Sequence, residues 1–182
     1  MRALLAVGAV ALVVAAAAVA APPTFLGTEL SGPAPNFALR DQNGKVVKLS
    51  ALRGTPVLVT FLYTHCPDVC PLIATHLDTA AQQLGHVRVL AVSVDPARDT
   101  RAAARSFVRA RELSPRFSYL VGTRAQLSKV WAAYHIAVQP GPKMTVTHSA
   151  YTFLVDAKGQ ERVLFDSQVK PAEVVHDVRS LG

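Results

Sequence analysis

Cysteine is nearly absent, with two residues in 182, which is too few for a disulfide scaffold. Past residue 21 no apolar run approaches transmembrane length, and this excludes a polytopic membrane protein. Acidic residues are scarce, 12 against 19 Lys and Arg, so the chain carries a net charge of +7. There is no lysine-rich tail and no basic strand interleaved with aromatics, so nucleic acid is not an expected partner. Charge is too dispersed, and an apolar content of 51% too high, for a disordered chain. The length leaves room for one domain with a substantial core and not for two typical ones.

The first 21 residues differ from the rest. From Ala3 to Ala21 every residue except Gly8 is apolar. Met1-Arg2 ahead of this run reads as an export segment, either a cleaved signal with Ala18-Val19-Ala20 as its small-x-small site or an uncleaved membrane anchor. Either one places the domain outside the cytoplasm. Residues 22–35, with Pro22, Pro23, Gly27, Gly32, Pro33 and Pro35, read as a tether rather than a packed element. Residues 36–182 form the expected domain.

Within that domain, residues 37–49 predict a hairpin turning at Asn43-Gly44. The apolar run 56–62 and the run 87–94 predict buried strands, separated by a helix over 68–84 that stops at Gly85. An arginine-rich helix over 99–112, a strand at 117–121 and a helix over 123–134 follow. A Pro/Gly loop spans 139–143, strands 151–155 and 161–165 are joined by a turn at 156–159, and Pro171 opens a last helix. Two buried strands with a helix between them require a parallel pair with a right-handed crossover. The expected class is α/β: a mixed central sheet flanked by helices, with an added N-terminal β-hairpin, in the thioredoxin arrangement. Arg98, Arg101, Arg105 and Arg109 follow helical spacing and predict one shared face. That face is either simply solvated or a docking surface for an acidic protein or lipid headgroups.

Both cysteines fall at the turn from the first buried strand into its helix, in Tyr63-Thr64-His65-Cys66-Pro67-Asp68-Val69-Cys70-Pro71. Unpaired N–H groups at a helix N-terminus stabilise a thiolate, the form that attacks disulfides and binds metals. Three residues separate the pair, where thioredoxin-type oxidoreductases have two. Cysteines at i and i+4 share a helix face with Cβ atoms about 5–6 Å apart, a gap a metal bridges readily. A disulfide needs about 3.8 Å and therefore a distorted first turn. Metal binding is favoured, and a Cys66–Cys70 redox disulfide stays open. Asp68 is expected in the first helical turn, matching the dipole, and Asp95 near the mouth of the site or as a turn former.

Two thiolates call for a third ligand. His76 faces round the helix from Cys70, His86 reads as a surface turn, His176 lies in the remote last helix, and His65 projects differently from its neighbour Cys66. His135 ends a helix and stays possible. His148 precedes the strand 151–155, and in a thioredoxin-like sheet that loop lies beside the cysteine turn, which makes it the best candidate.

The Cys-Pro-Asp-Val-Cys-Pro box, the segment Ser93-Val94-Asp95-Pro96-Ala97-Arg98-Asp99-Thr100, and His148-Ser149-Ala150-x-Thr152-Phe153-Leu154-Val155-Asp156 together resemble the Sco/SenC copper-delivery proteins, from about Pro33 to the C-terminus. The resemblance implies a membrane-tethered thioredoxin fold in the periplasm or an equivalent space, a metallochaperone rather than an enzyme. It implies copper, as Cu(I) or Cu(II), held by Cys66, Cys70 and His148. It also implies service to the CuA centre in subunit II of cytochrome c oxidase, with another copper chaperone as a further partner. One departure is Thr147, where the family commonly has Asp before the histidine. Two thiolates and an imidazole suit Cu(I) independently of the resemblance. With two methionines, the chain is not a methionine-rich copper store. A thiol–disulfide oxidoreductase keeping oxidase cysteines reduced uses the same thiols, with Cys66 attacking and Cys70 resolving. A peroxiredoxin-like peroxidase needs a threonine three residues before its cysteine, whereas Thr64 is two before Cys66.

Overall fold

The computed structural model describes residues 24–141 and 146–181. The export segment, Pro22 and Pro23 lie outside the described residues. Among the described residues no helix is long and apolar enough to cross a membrane.

The apolar run at 56–62 forms β4 (Val57–Leu62), every residue of it buried. It pairs in parallel with β5 (Arg88–Ser93), which pairs in parallel with β6 (Phe117–Val121). The connections are α1 (Val69–Leu84) and α2 (Arg101–Ala110). On its other side β4 meets β9 (Thr152–Val155), antiparallel, and β9 meets β10 (Glu161–Phe165). The predicted hairpin, β2 (Ala38–Asp41) and β3 (Val46–Lys48), joins the far edge through β6. Its turn is built as the sequence requires: the Asp41 carboxylate accepts the N–H groups of Asn43 and Lys45, and Gly44 has φ 86°. The eight-stranded mixed sheet runs β1-β10-β9-β4-β5-β6-β2-β3, with β1 at Thr28–Glu29.

Helix α1 buries Cys70, Ile73, Ala74, Leu77 and Ala81 on one face and ends at Gly85, whose φ of 75° suits glycine and whose N–H bonds Ala81 O at 3.0 Å. Helix α4 (Pro171–Arg179) packs on α1. Because β4, β5 and β6 run in parallel, the N-termini of α1, α2 and α3 (Arg124–Ala133) all open at one end of the sheet. The cysteine turn lies at that end. Beneath it Phe37, Phe61, Tyr134 and Phe153 form a tilted and edge-to-face aromatic cluster.

Three expectations need correction. The tether expected over 22–35 is in part a packed element, since residues 28–34 bond along β10 and the turn before it, and Ala34 is buried. Gly27 makes this close approach possible, because a Cβ there would sit 2.4 Å from Val163 Cγ1. The Pro/Gly stretch after α3 is not only a loop. β7 (Val138–Pro140) and β8 (Val146–His148) pair as a separate two-stranded hairpin. Arg98 also leaves the expected arginine face, since it precedes α2 and is ion-paired with Asp95.

The edge strand is anchored by the fully buried Asp177 of α4, which accepts the N–H groups of Leu26 at 2.8 Å and Gly27 at 3.0 Å. Hydrogen bonds to a charged acceptor contribute about 1.5–3 kcal/mol each. Asp177→Ala is therefore expected to lower stability by about 3 kcal/mol, read as a drop in the urea midpoint with the slope unchanged. An unchanged midpoint would show that the strand holds without this anchor.

Candidate metal centre

Chain polarity at the end of β4 sets the site. The strand stops at Leu62, and the Cys66 N–H turns back to Tyr63 O at 3.3 Å. Asp68 is the N-cap residue of α1 and not part of its first turn, which holds no acidic residue. Its carboxylate caps nothing. The sulfur of Cys66 takes that place, accepting the Cys70 N–H at 3.4 Å. Both thiols are free and buried, Cys66 at 9% exposure and Cys70 at 0%.

These contacts divide the pair. The Cys66 thiol is lowered to about 6, first by the Cys70 thiol donating to its sulfur and then by the N–H groups of Asp68 and Cys70 and the Tyr63 hydroxyl, against the opposing effect of burial. Cys70 is pushed far up, because its proton is held by the Cys66 sulfur and burial disfavours its charge. Iodoacetamide should therefore modify Cys66 first in the reduced, metal-free chain. The rate should rise with pH through a midpoint of about 6, against about 8.5 for a free thiol. Mass spectrometry of the labelled peptide reads both features, and a midpoint of an ordinary thiol would remove the proposed thiolate.

His148 ends β8, opposite Val138. Ser149 bonds the base of this hairpin to Ala137 through its N–H at 3.1 Å. The His148 Nδ1 lies 3.0 Å from Ser149 O, a carbonyl that only accepts, so Nδ1 carries the proton and Nε2 keeps its lone pair. Burial lowers the His148 pKa and favours the neutral ring, the form that binds metals. The ring lies edge-on to Tyr63 at 5.9 Å between centroids. Cys66, Cys70, Tyr63 and His148 thus gather at one end of the sheet. Strand alternation leaves the preceding Thr147 exposed, so that departure from the family pattern falls on the outer face of the hairpin.

The structure adds two residues that sequence reasoning did not single out. Tyr63 links the Cys66 sulfur to the His148 ring. Asp99 is buried and accepts from the Thr64 N–H at 2.9 Å and Thr64 Oγ1 at 2.7 Å, and from Ser93 Oγ at 2.6 Å and the Tyr119 hydroxyl at 3.1 Å. It ties the residue two before Cys66 to β5 and β6. Its signal lay within the 93–100 segment, one residue beyond Arg98.

Among the described residues, one trio of possible ligand atoms lies within 4.8 Å of one another, and it is His65, Asp95 and Asp99 rather than Cys66, Cys70 and His148. That trio is explained by its hydrogen bonds. Asp99 serves Thr64, Ser93 and Tyr119, and Asp95 pairs with Arg98 at 2.5 Å and turns the chain through its carbonyl, which accepts the Asp99 N–H. The other histidines stand apart from the thiols: His76 bonds Val169 O, His86 Leu84 O and His176 the Asp177 carboxylate. His135, with φ 54°, closes α3.

The SCO1/SenC family model matches residues 28–182. The chain belongs to the SCO1/SenC family. Protein SenC of Rhodobacter capsulatus is 33% identical over 158 residues, covering 82% of this chain and 69% of that protein. The mitochondrial SCO1 homolog of Homo sapiens is 29% identical over 160 residues, and this chain spans only about half of it, 52%. Bradyrhizobium japonicum ScoI, solved with copper bound, is 31% identical with a TM-score of 0.71, covering 81% of this chain and 98% of that one. The thioredoxin-like fold with its added N-terminal hairpin, expected from the strand and helix order, is the fold of this SCO1/SenC chain. A peroxidase arrangement finds no support in the site. The Thr64 hydroxyl donates to Asp99, and no hydrogen bond joins it to the Cys66 sulfur among the described residues.

Proposed function

We propose that this SCO1/SenC protein takes up copper through Cys66, Cys70 and His148 and delivers it to the CuA centre in subunit II of cytochrome c oxidase. The observation that carries the reading is an asymmetric thiol pair at the same end of the sheet as a histidine whose Nε2 keeps its lone pair, the two joined through Tyr63. A low-pKa thiolate stands ready, a second thiol lies one helical turn on, and a neutral imidazole is held by Ser149 O at the same end. Two sulfurs and one nitrogen are a soft donor set that favours Cu(I), and three ligands leave a side open for a recipient's ligands. Uptake displaces the Cys70 proton, so copper and proton compete for that sulfur. The apolar N-terminal segment supports an extracytoplasmic domain held at the membrane, where a subunit II domain is met, and a second copper chaperone loads it there.

Mixing the Cu(I)-loaded chain with the metal-free CuA domain of subunit II tests this. Growth of the CuA absorption upon oxidation, in proportion to copper lost from the chain, is the expected result. Retention of copper by the chain at equilibrium would exclude delivery.

One observation favours a thiol reductase as the second reading. Cys66 is the more exposed and more acidic sulfur, and Cys70 the buried, protonated one, the division an attacking and a resolving thiol require. In that reaction Cys66 thiolate displaces one sulfur of a substrate disulfide, and Cys70 then releases the other. The chain is left with a Cys66–Cys70 disulfide, and two electrons pass to the substrate.

A further inference from the structure

Cations crowd the end of the sheet that carries the thiols, and few have partners. Among the described residues there are two arginine–carboxylate ion pairs, Arg98–Asp95 and Arg162–Asp156, and the His176 ring lies against Asp177. Arg40, Arg101 and Arg124 are exposed and lack an acidic partner. Arg101 and Arg124 are moreover the first residues of α2 and α3. The positive end of a helix dipole favours an anion there and is opposed by a cation. Neither helix, nor α1, has an acidic residue in its first turn. The exposed Asp68 is the one counter-charge beside the thiols, since Asp95 and Asp99 are buried and engaged. Arginine at these positions costs the isolated chain some stability and gives it a strongly positive rim.

A groove of about 330 Å³ opens beside this rim. Val94, Pro96, Val138 and Val146 line it with apolar surface, and Arg98 and Arg124 stand at its edge. One wall is the hairpin that carries His148, so whatever fills the groove touches the element holding the third proposed ligand.

We propose that this end of the molecule is a docking face for an acidic protein, the copper recipient, which presents carboxylates around its metal-accepting residues and seats an apolar residue in the groove. The inference rests on the delivery reading and names the chemistry of its partner. Arg124 and Arg98 edge the groove beside the His148 hairpin, and Arg40 and Arg101 lie further out at the Gly44 turn. A partner drawn by this charge therefore arrives at the end of the sheet that carries the thiols, whereas an anionic lipid surface there would cover it. Opposite charge raises encounter rates by about tenfold or more at low salt, and screening removes the gain as the Debye length falls from about 30 Å at 0.01 M to about 8 Å at 0.15 M.

The test measures the second-order rate of Cu(I) transfer from the full-length chain, in neutral detergent, to the CuA domain of subunit II. The wild-type rate should fall by about tenfold between 0.01 M and 0.15 M salt. Arg101→Glu and Arg124→Glu should each slow transfer several-fold at low salt, with Cu(I) affinity unchanged. Both place a carboxylate at a helix N-terminus, which favours the helix, so slower transfer with an undiminished melting temperature cannot be loss of fold. Lys158→Glu makes the same charge change in the exposed turn between β9 and β10, at the opposite end of the sheet, and should leave the rate unaltered. Rapid transfer that ignores salt and all three reversals would overturn the proposal while leaving delivery intact. Failure of the wild-type chain to transfer copper at all would overturn both. If the reversals slow transfer only when the chain sits in phosphatidylglycerol bilayers and not in phosphatidylcholine, the arginines face lipid and the acidic-protein proposal is overturned.

Discussion

Cys70→Ser and Cys66→Ser should each weaken Cu(I) binding by about 10²–10⁴-fold, measured anaerobically by competition with a chromophoric Cu(I) chelator. Thiolate-rich metal sites are worth about 10–16 kcal/mol in all, so one of three ligands is worth about 3–5 kcal/mol, and each 1.4 kcal/mol is tenfold. The two variants should differ in what they leave behind. Cys70→Ser keeps the more exposed sulfur and still reacts with iodoacetamide. Cys66→Ser leaves a thiol with no exposed surface and should be nearly inert to it. A Cys→Ser variant that binds Cu(I) as tightly as the wild type would place the metal elsewhere.

His148→Ala should separate copper delivery from thiol chemistry, which neither cysteine variant does. It removes the imidazole and leaves both sulfurs, the α1 N-terminus and the N–H groups on Cys66 in place. Copper affinity should fall by about 10²-fold or more, since two sulfurs alone leave the ion under-coordinated. Disulfide exchange should change by less than about twofold, because it follows thiolate fraction and access, and both persist. In cells, oxidase activity should be lost and partly restored by added copper. A variant with wild-type affinity and a normal oxidase would instead support the reductase reading.

The part of the fold that positions the thiols was legible because its signals are local. An unbroken apolar run ends at a cysteine turn, a periodic helix follows, and Gly85 stops it within a residue of expectation. What was illegible depends on partners distant in sequence. β1 reads as a Pro/Gly-rich tether until β10, some 135 residues later, supplies its ladder and Asp177 its anchor. The β7–β8 hairpin is hidden because Gln139-Pro140-Gly141 carries loop chemistry and the pairing spans segments without a periodic pattern. Topology places His148 ahead of β9 at the thiol end of the sheet, although it belongs to a strand rather than to a loop. Asp99 was missed because its role consists of bonds to Thr64, 35 residues back, and Tyr119, 20 residues on. Asp68 was expected in the first turn on the rule that acids match a helix N-terminus. In this chain the Cys66 sulfur accepts that turn's N–H instead.

The most direct test of the copper site is X-ray absorption at the copper edge on the reduced chain loaded with one equivalent of Cu(I), compared with His148→Ala loaded in the same way. A three-coordinate ion with two sulfur neighbours and one imidazole nitrogen is expected in the wild type, with loss of the imidazole scattering and retention of both sulfurs in the variant. Identical spectra from the two proteins, or a wild-type ion bound without both sulfurs, would contradict that coordination.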